Sequence, residues 1–309
     1  IGTMTIEQAN VTNNSGYRKT NPSGSMVGSS LICNGDDDLG GTLNISGGTF
    51  EQKNFIAIKN GALGKLNVTG GMISSDHSAI QNWFEATITG GEINGQLWTD
   101  AYIKDESVGH TTIGGNAKYT GEIVMDIAGS VKPTLEISGG TLDVTNWRIT
   151  KAAANAGAKP AVSGGTFTKA VSADYCAEGF EPKDNGDGTF GVKEISAAKI
   201  GNVEYETLAA AFAAAKDGET IVLLKNSSGN GIVVETGTFT DKGLIVDFNN
   251  RSYTVGGVLV GSSGTASNGF QLNKDNKITF KNGALYGDAS VAGDKTTNWT
   301  GAPAIMIQN

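Results

Sequence analysis

Residues Leu43–Phe50 read LNISGGTF, and close copies follow: LNVTGGMI from Leu66, ATITGGEI from Ala86, LEISGGTL from Leu135 and the shorter AVSGGTF from Ala161. Each copy alternates apolar and polar residues, places two glycines, and resumes with an apolar residue. Leu43 and Ile45, Leu66 and Val68, and Leu135 and Ile137 fall on one side of a period-two strand, with Asn44, Asn67 and Glu136 on the other. The glycine pair admits positive φ, which a β-carbon resists, so the chain turns there. Phe50, Ile73, Ile93, Leu142 and Phe167 then return to the inward side.

The pairs begin at Gly47, Gly70, Gly90, Gly114, Gly139 and Gly164, a spacing of 20–25 residues. Self-similarity at that period is a solenoid signature, and the leucine and asparagine frame of leucine-rich repeats is missing. A second strand signal ends in asparagine, in IAIKN (Ile56–Asn60), in SAIQN (Ser78–Asn82) and in AIMIQN at the last residues. Asparagine is expected there because it tolerates the left-handed region and bonds its own backbone at turns. Each repeat is thus one coil of short strands and corners. Stacked coils pair equivalent strands in parallel and bury a column of Ile, Leu, Val and Phe. The handedness of parallel crossovers makes the expectation an all-β, right-handed parallel β-helix solenoid.

The pattern breaks between Val171 and Glu194. YCAEGFEPKDNGDGTFGVKE places two short strands about Asp184–Asn185–Gly186–Asp187–Gly188, a strong hairpin-turn signal. A hairpin there would close the first stack and block strand addition at its edge. In ETLAAAFAAAKDGETIVLL, Leu208, Ala211, Phe212 and Ala215 share one helical stripe, and Lys216–Asp217–Gly218 stops it. This reads as the short capping α-helix of a second stack, followed by a strand at Thr220–Leu224. Later strands are expected in LIVDFNN, SYTVGGVLV and KITFKNGAL, and the pentapeptide KNGAL at Lys59–Leu63 recurs at Lys281–Leu285. The expected organisation is a first β-helix over 1–170, a capping hairpin and linker over 171–198, and a second β-helix over 199–309, incomplete at its C-terminus.

Composition narrows the function classes. The chain has 309 residues, with 45 glycines but 5 prolines, so it reads as folded and turn-rich rather than disordered. A net charge of −8 without a basic run argues against nucleic-acid and anionic-membrane partners. The longest apolar run, near Ala209–Ala215, is far short of the ~20 residues of a membrane span, so no membrane insertion is expected. A chain that opens at Ile1 without Met is expected to be a processed protein or an excised piece. Cys33 and Cys176 would lie about six coils apart, near 29 Å at ~4.8 Å per coil, and are not expected to pair with each other.

The ISGGTF repeats, the AEGFEPKDNGDGTFGVKE hairpin and the AKIGNVEYETLAAAFAAAKDGETIVLLKN helix-and-strand resemble large secreted or surface-attached β-helix proteins of Gram-positive bacteria, particularly of gut anaerobes. Their stacks are similar in fold to pectin-lyase-like β-helices. The resemblance covers nearly the whole chain and implies an extracellular, secreted or cell-surface location. It does not select one activity, since such coils occur in adhesins, fibres and polysaccharide-degrading enzymes.

Candidate chemistry is sparse. Asp36, Asp37 and Asp38 in CNGDDDLGG could share a Ca2+ ion, although such a run is ordinarily a solvated loop; no other cofactor is expected. Asp184–Gly188 lacks the ligand spacing of a calcium loop, and zinc, phosphate and nucleophile-elbow motifs are missing. Trp83, Phe84 and Trp98 fall in neighbouring coils outside the core alternation and could form a glycan platform, or simply pack the corners. Ile305, Met306 and Ile307 mark an apolar assembly edge if open β-helix ends join head to tail. The expectation is a non-enzymatic extracellular structural or adhesive rod. Its partners would be a host or bacterial surface glycan or protein, or copies of itself. A filament subunit and a glycan-binding or glycan-cleaving β-helix are the alternatives.

Overall fold

The computed structural model describes residues 2–13, 30–35, 39–53, 55–101, 108–128, 131–256, 258–261, 269–287 and 305–307. The chain is all-β, with 61% of the described residues in strands and 6% helical. It divides into two compact units, Ile1–Glu194 and Ile195–Asn309, each with its own core.

Unit 1 is a succession of parallel tiers. The first holds β1 (Gly2–Ile6), β2 (Asn10–Asn13) and β3 (Ile32–Asn34), and the second β4 (Gly41–Ile45), β5 (Thr49–Gln52) and β6 (Ile58–Asn60). The next two are single long strands bent around the corners, β7 (Lys65–Asn82) and β8 (Glu85–Ala101). Then come β9 (His110–Ile113) with β10 (Lys118–Ile127), β11 (Thr134–Ile149) and β12 (Pro160–Phe167). The first half of β8 pairs with β9 and its second half with β10, and β11 repeats both pairings. These four strands therefore close a ring of parallel pairings.

Register turns the sequence alternation into columns. Ile6, Ile45, Val68, Ile88, Ile113, Ile137 and Val162 stack in one file. After the corner, Val11, Phe50, Ile73, Ile93, Tyr119, Leu142 and Phe167 form a second. Ile58, Ile80, Leu97 and Ile123 form a third, all fully buried. Each such aliphatic side chain contributes roughly 1.5–3 kcal/mol by leaving water. Tyr119 is the polar exception. Its hydroxyl donates its one proton to the carbonyl of Glu122 (2.7 Å), lies 3.1 Å from the carbonyl of Gly95 and accepts from Leu97 N (3.2 Å), tying the register shift after Gly121 to β8. Burial raises its pKa well above the usual tyrosine value.

The two glycines of a corner do different jobs. Gly71 adopts φ +84°, whereas Gly70 does not need a positive φ; a β-carbon on it would run into the carbonyl oxygen of Ser46 in the tier before. The asparagines differ from the sequence-based expectation. Asn60 and Asn82 are not left-handed but extended and fully buried. Asn34 Nδ2 donates to Asn60 Oδ1 (2.8 Å), and Asn60 Nδ2 to Asn82 Oδ1 (2.7 Å). Asn82 Nδ2 ends the run on Thr111 Oγ1 (2.9 Å), itself 2.7 Å from Thr99 Oγ1. The same amides reach corner carbonyls, Gly64 O at 2.7 Å and Glu85 O at 3.0 Å from Asn60. Burying an amide is tolerable only when its bonds are made, and the stacked repeats make them.

After β11 a short helix, α1 (Lys151–Asn155), is capped by Thr150 Oγ1; the strand pattern did not anticipate it. The antiparallel hairpin β13 (Phe180–Asp184) and β14 (Phe190–Glu194) joins β12 through Phe167 and Phe190. Its turn uses both aspartates internally. Asp184 Oδ1 accepts from Gly186 N (2.8 Å), and Asp187 Oδ1 from Thr189 N (3.0 Å) and Oγ1 (2.6 Å). Cys33 and Cys176 are not joined in a disulfide.

Unit 2 opens with the antiparallel pair β15 (Ala198–Ile200) and β16 (Val203–Tyr205), then α2 (Leu208–Ala214), which buries Leu208, Ala211 and Phe212. There follow β17 (Thr220–Leu223), β18 (Ser227–Gly229), β19 (Ile232–Val234), β20 (Leu244–Val255), β21 (Phe270–Leu272), β22 (Ile278–Gly287) and β23 (Ile305–Ile307). β17, β20 and β22 pair in parallel, as do β19, β21 and β23. Phe270 sits at the centre, its ring 5.4 Å from Phe280, 5.6 Å from Phe212 and 6.1 Å from Tyr253. Left-handed asparagines occur here, at Asn249, Asn250 and Asn282.

Candidate functional site

Residues alternating with the third buried column point to the opposite side of the strands. Lys59, Gln81, Trp98, Val124 and Arg148 follow one another in register across β6, β7, β8, β10 and β11. Two residues further along β8 and β10, Asp100 is the register partner of Asp126. This outer face is unusually covered, with Lys59 only 3% and Gln81 only 4% exposed.

Lys59 Nζ donates to Gln81 Oε1 (3.2 Å) and lies 2.8 Å from the centroid of the Trp83 ring. The Arg148 guanidinium lies 5.2 Å from the Trp98 ring, and its Nε is 3.3 Å from Glu122 Oε1. Glu122 is held by Gln96 Nε2 and Asn146 Nδ2, each at 2.7 Å. A cation over an indole is worth about 0.5–2 kcal/mol, more where water is excluded. Each tryptophan thus has one face engaged by a cation of its own chain. Phe84, half-buried, contributes its backbone: its N–H donates to Asn82 Oδ1 and its carbonyl accepts from Asn82 Nδ2, both at 3.1 Å.

The carboxylates are unevenly provided for. Asp126 Oδ1 accepts from Thr150 Oγ1 (2.7 Å) and Ile127 N (2.8 Å). Asp100 is pushed up to about 6, first by burial and then by the Asp126 charge, against smaller opposing effects of Lys59, the Ala101 N–H and the Trp83 side chain. A carboxyl group held there exchanges its proton near neutrality. The cluster therefore joins two indoles, two cations and a close acid pair on one face.

The Trp83 side chain reaches Asp100, and Trp98 stands two residues before Asp100 on β8. Lys59, Asp100, Glu122, Asp126 and Arg148 were not singled out in the sequence. Applying the repeat spacing to polar residues as well as to glycines would have found Asp100 and Asp126, one repeat apart. Asp36, Asp37 and Asp38 lie outside the described residues. Among the described residues, no group of three or more His, Cys, Asp or Glu is placed to hold a metal ion. Ile305 and Ile307 are exposed on β23, whose described partner is β21; the Met306 side chain lies outside the described residues. No described helix is long and apolar enough to cross a membrane.

Fold and cluster define the chain as an all-β protein of stacked parallel tiers with one polar, aromatic-bearing face. No protein-family model matches it, and no curated protein or solved structure does so either.

Proposed function

We propose that this chain is a right-handed parallel β-helix protein, with two stacks in succession, that works outside the cell as a structural or adhesive surface element without catalysis. The observation that carries this reading is the unbroken file from Ile6 to Val162, in which every tier is held by its neighbours through ladder hydrogen bonds and aliphatic packing. Such a file gives length and stiffness, and leaves the outer faces free to meet a surface glycan, a surface protein or another copy.

Small-angle scattering combined with a sugar-release assay tests it. The expectation is an elongated particle that frees no reducing or unsaturated sugar from polysaccharides. A compact particle, or turnover of any polysaccharide, overturns it. The glycan-binding reading is favoured by the gathering of Trp83 and Trp98 on one face, and a glycan array answers it. Retention of a sugar by the wild type and its loss in Trp98→Ala support that reading; no retained sugar eliminates it.

A further inference from the structure

We propose that Asp100 and Asp126 form a proton-operated clasp between successive tiers, closed when the pair holds one proton and open when both carboxylates are charged. The two residues are register partners on β8 and β10, on the same face. Parallel strands run ~4.8 Å apart, so the ladder holds the backbones of the two aspartates at about that separation and only side-chain rotation can part their carboxyl groups. Two bare charges at that separation repel, and the repulsion strengthens as water is excluded.

The hydrogen bonding decides which member takes the proton. Asp126 Oδ1 already accepts two hydrogen bonds, from Thr150 and Ile127. The Ala101 N–H and the Trp83 side chain act on the Asp100 carboxyl but weigh less than its burial and the Asp126 charge, and its buried Oδ1 has no hydrogen-bond partner among the described residues. A proton taken from solvent by Asp100 supplies a donor that can turn toward Asp126. Among the described residues, the charged groups facing Asp100 are Asp126 from β10 and Lys59 from β6. Lys59 cannot neutralise the pair fully, because its ammonium is stacked on Trp83 and bonded to Gln81. Arg148, the other described cation in register on this face, is committed to Glu122 and Trp98. Burial first, and then the Asp126 charge, push Asp100 up to about 6. Opening loads the β8–β10 ladder next to Trp98, so the face that carries both indoles answers to pH.

The sign is fixed by linkage: an acid whose folded value is raised binds its proton more tightly in the folded state, so stability grows as pH falls from above 6 toward 4. The test uses the whole chain, with Asp100→Asn and Asp126→Asn. The unfolding midpoint of the wild-type first unit should rise by roughly 5 °C between pH 7.5 and 5.0. A carboxyl carbon resonance should titrate near 6. Asp100→Asn should remove both effects, and Asp126→Asn should move the titration toward ordinary aspartate values. A wild-type midpoint that stays level or falls overturns the clasp, as does a titration that Asp126→Asn leaves in place. Should Asp100→Asn not fold, the comparison of wild type with Asp126→Asn decides.

Discussion

Gly70 and Asn60 show how much of a tier rests on single atoms. Gly70 lacks a β-carbon where the carbonyl of Ser46 comes closest. Gly70→Ala is expected to cost about 2–3 kcal/mol, because the obstruction is backbone and cannot rotate away. Urea unfolding should show a lowered midpoint at an unchanged slope. Asn60 links its neighbours through its own amide and also holds the carbonyls of Gly64 and Glu85. Asn60→Ala leaves several buried polar groups without partners, and a loss of about 3 kcal/mol is expected in the same measurement. A loss below 1 kcal/mol would mean that the asparagine file follows the stack rather than holding it.

At the scale of elements, caps and corners divide the work. Thr207 Oγ1 accepts from Ala210 N at 3.0 Å and starts α2, a helix of seven residues that is too short to stand alone. Thr207→Ala is expected to destabilise the second unit by about 1 kcal/mol, read as faster hydrogen exchange over Leu208–Ala214. The pentapeptide KNGAL makes the opposite point, since one sequence takes two structures. At Lys59–Leu63 it ends a strand, with Lys59 and Asn60 buried and Leu63 left-handed at φ 59°. At Lys281–Leu285 it continues a strand, with Asn282 left-handed and Lys281 3.3 Å from Asp247. The local residues allow both conformations, and the neighbouring tier selects one.

The whole molecule has two cores and two answers to acid. Phe270→Ala should remove about 3–5 kcal/mol from the second unit, while hydrogen exchange over Gly41–Phe167 stays as in the wild type. Equal loosening of both units would show that they unfold as one. In the second unit, Asp217 is held below the usual carboxylate range, first by the backbone N–H of Lys242. Asp247 is lowered likewise, first by the N–H of Asn249. A depressed acid contributes stability that is present above its unfolded value, 3.8, and is lost as pH falls further. The second unit should therefore weaken below about pH 4, whereas the first strengthens between neutrality and pH 5. Unit-resolved melting against pH reads both trends, and parallel curves would contradict the assignment.

The sequence by itself determined the strands, their inward faces and their corners. LNISGGTF states a period-two alternation and a glycine turn, and its recurrence every 20–25 residues states parallel stacking, because these are properties of the local chain and of its repetition. The hairpin turn at Asp184–Gly188 and the stripe of α2 were legible for the same reason. Only the tertiary structure decided what the stacking puts side by side. Asn34, Asn60 and Asn82 became a buried hydrogen-bonded file rather than left-handed turns, since each amide finds its partners in the next tier. Lys59 was drawn under Trp83, and Asp100 was set against Asp126, by register between residues one repeat apart. A charge has no periodicity of its own to announce such a meeting. Its environment is made by the neighbouring tier, and that exists only once the chain has folded.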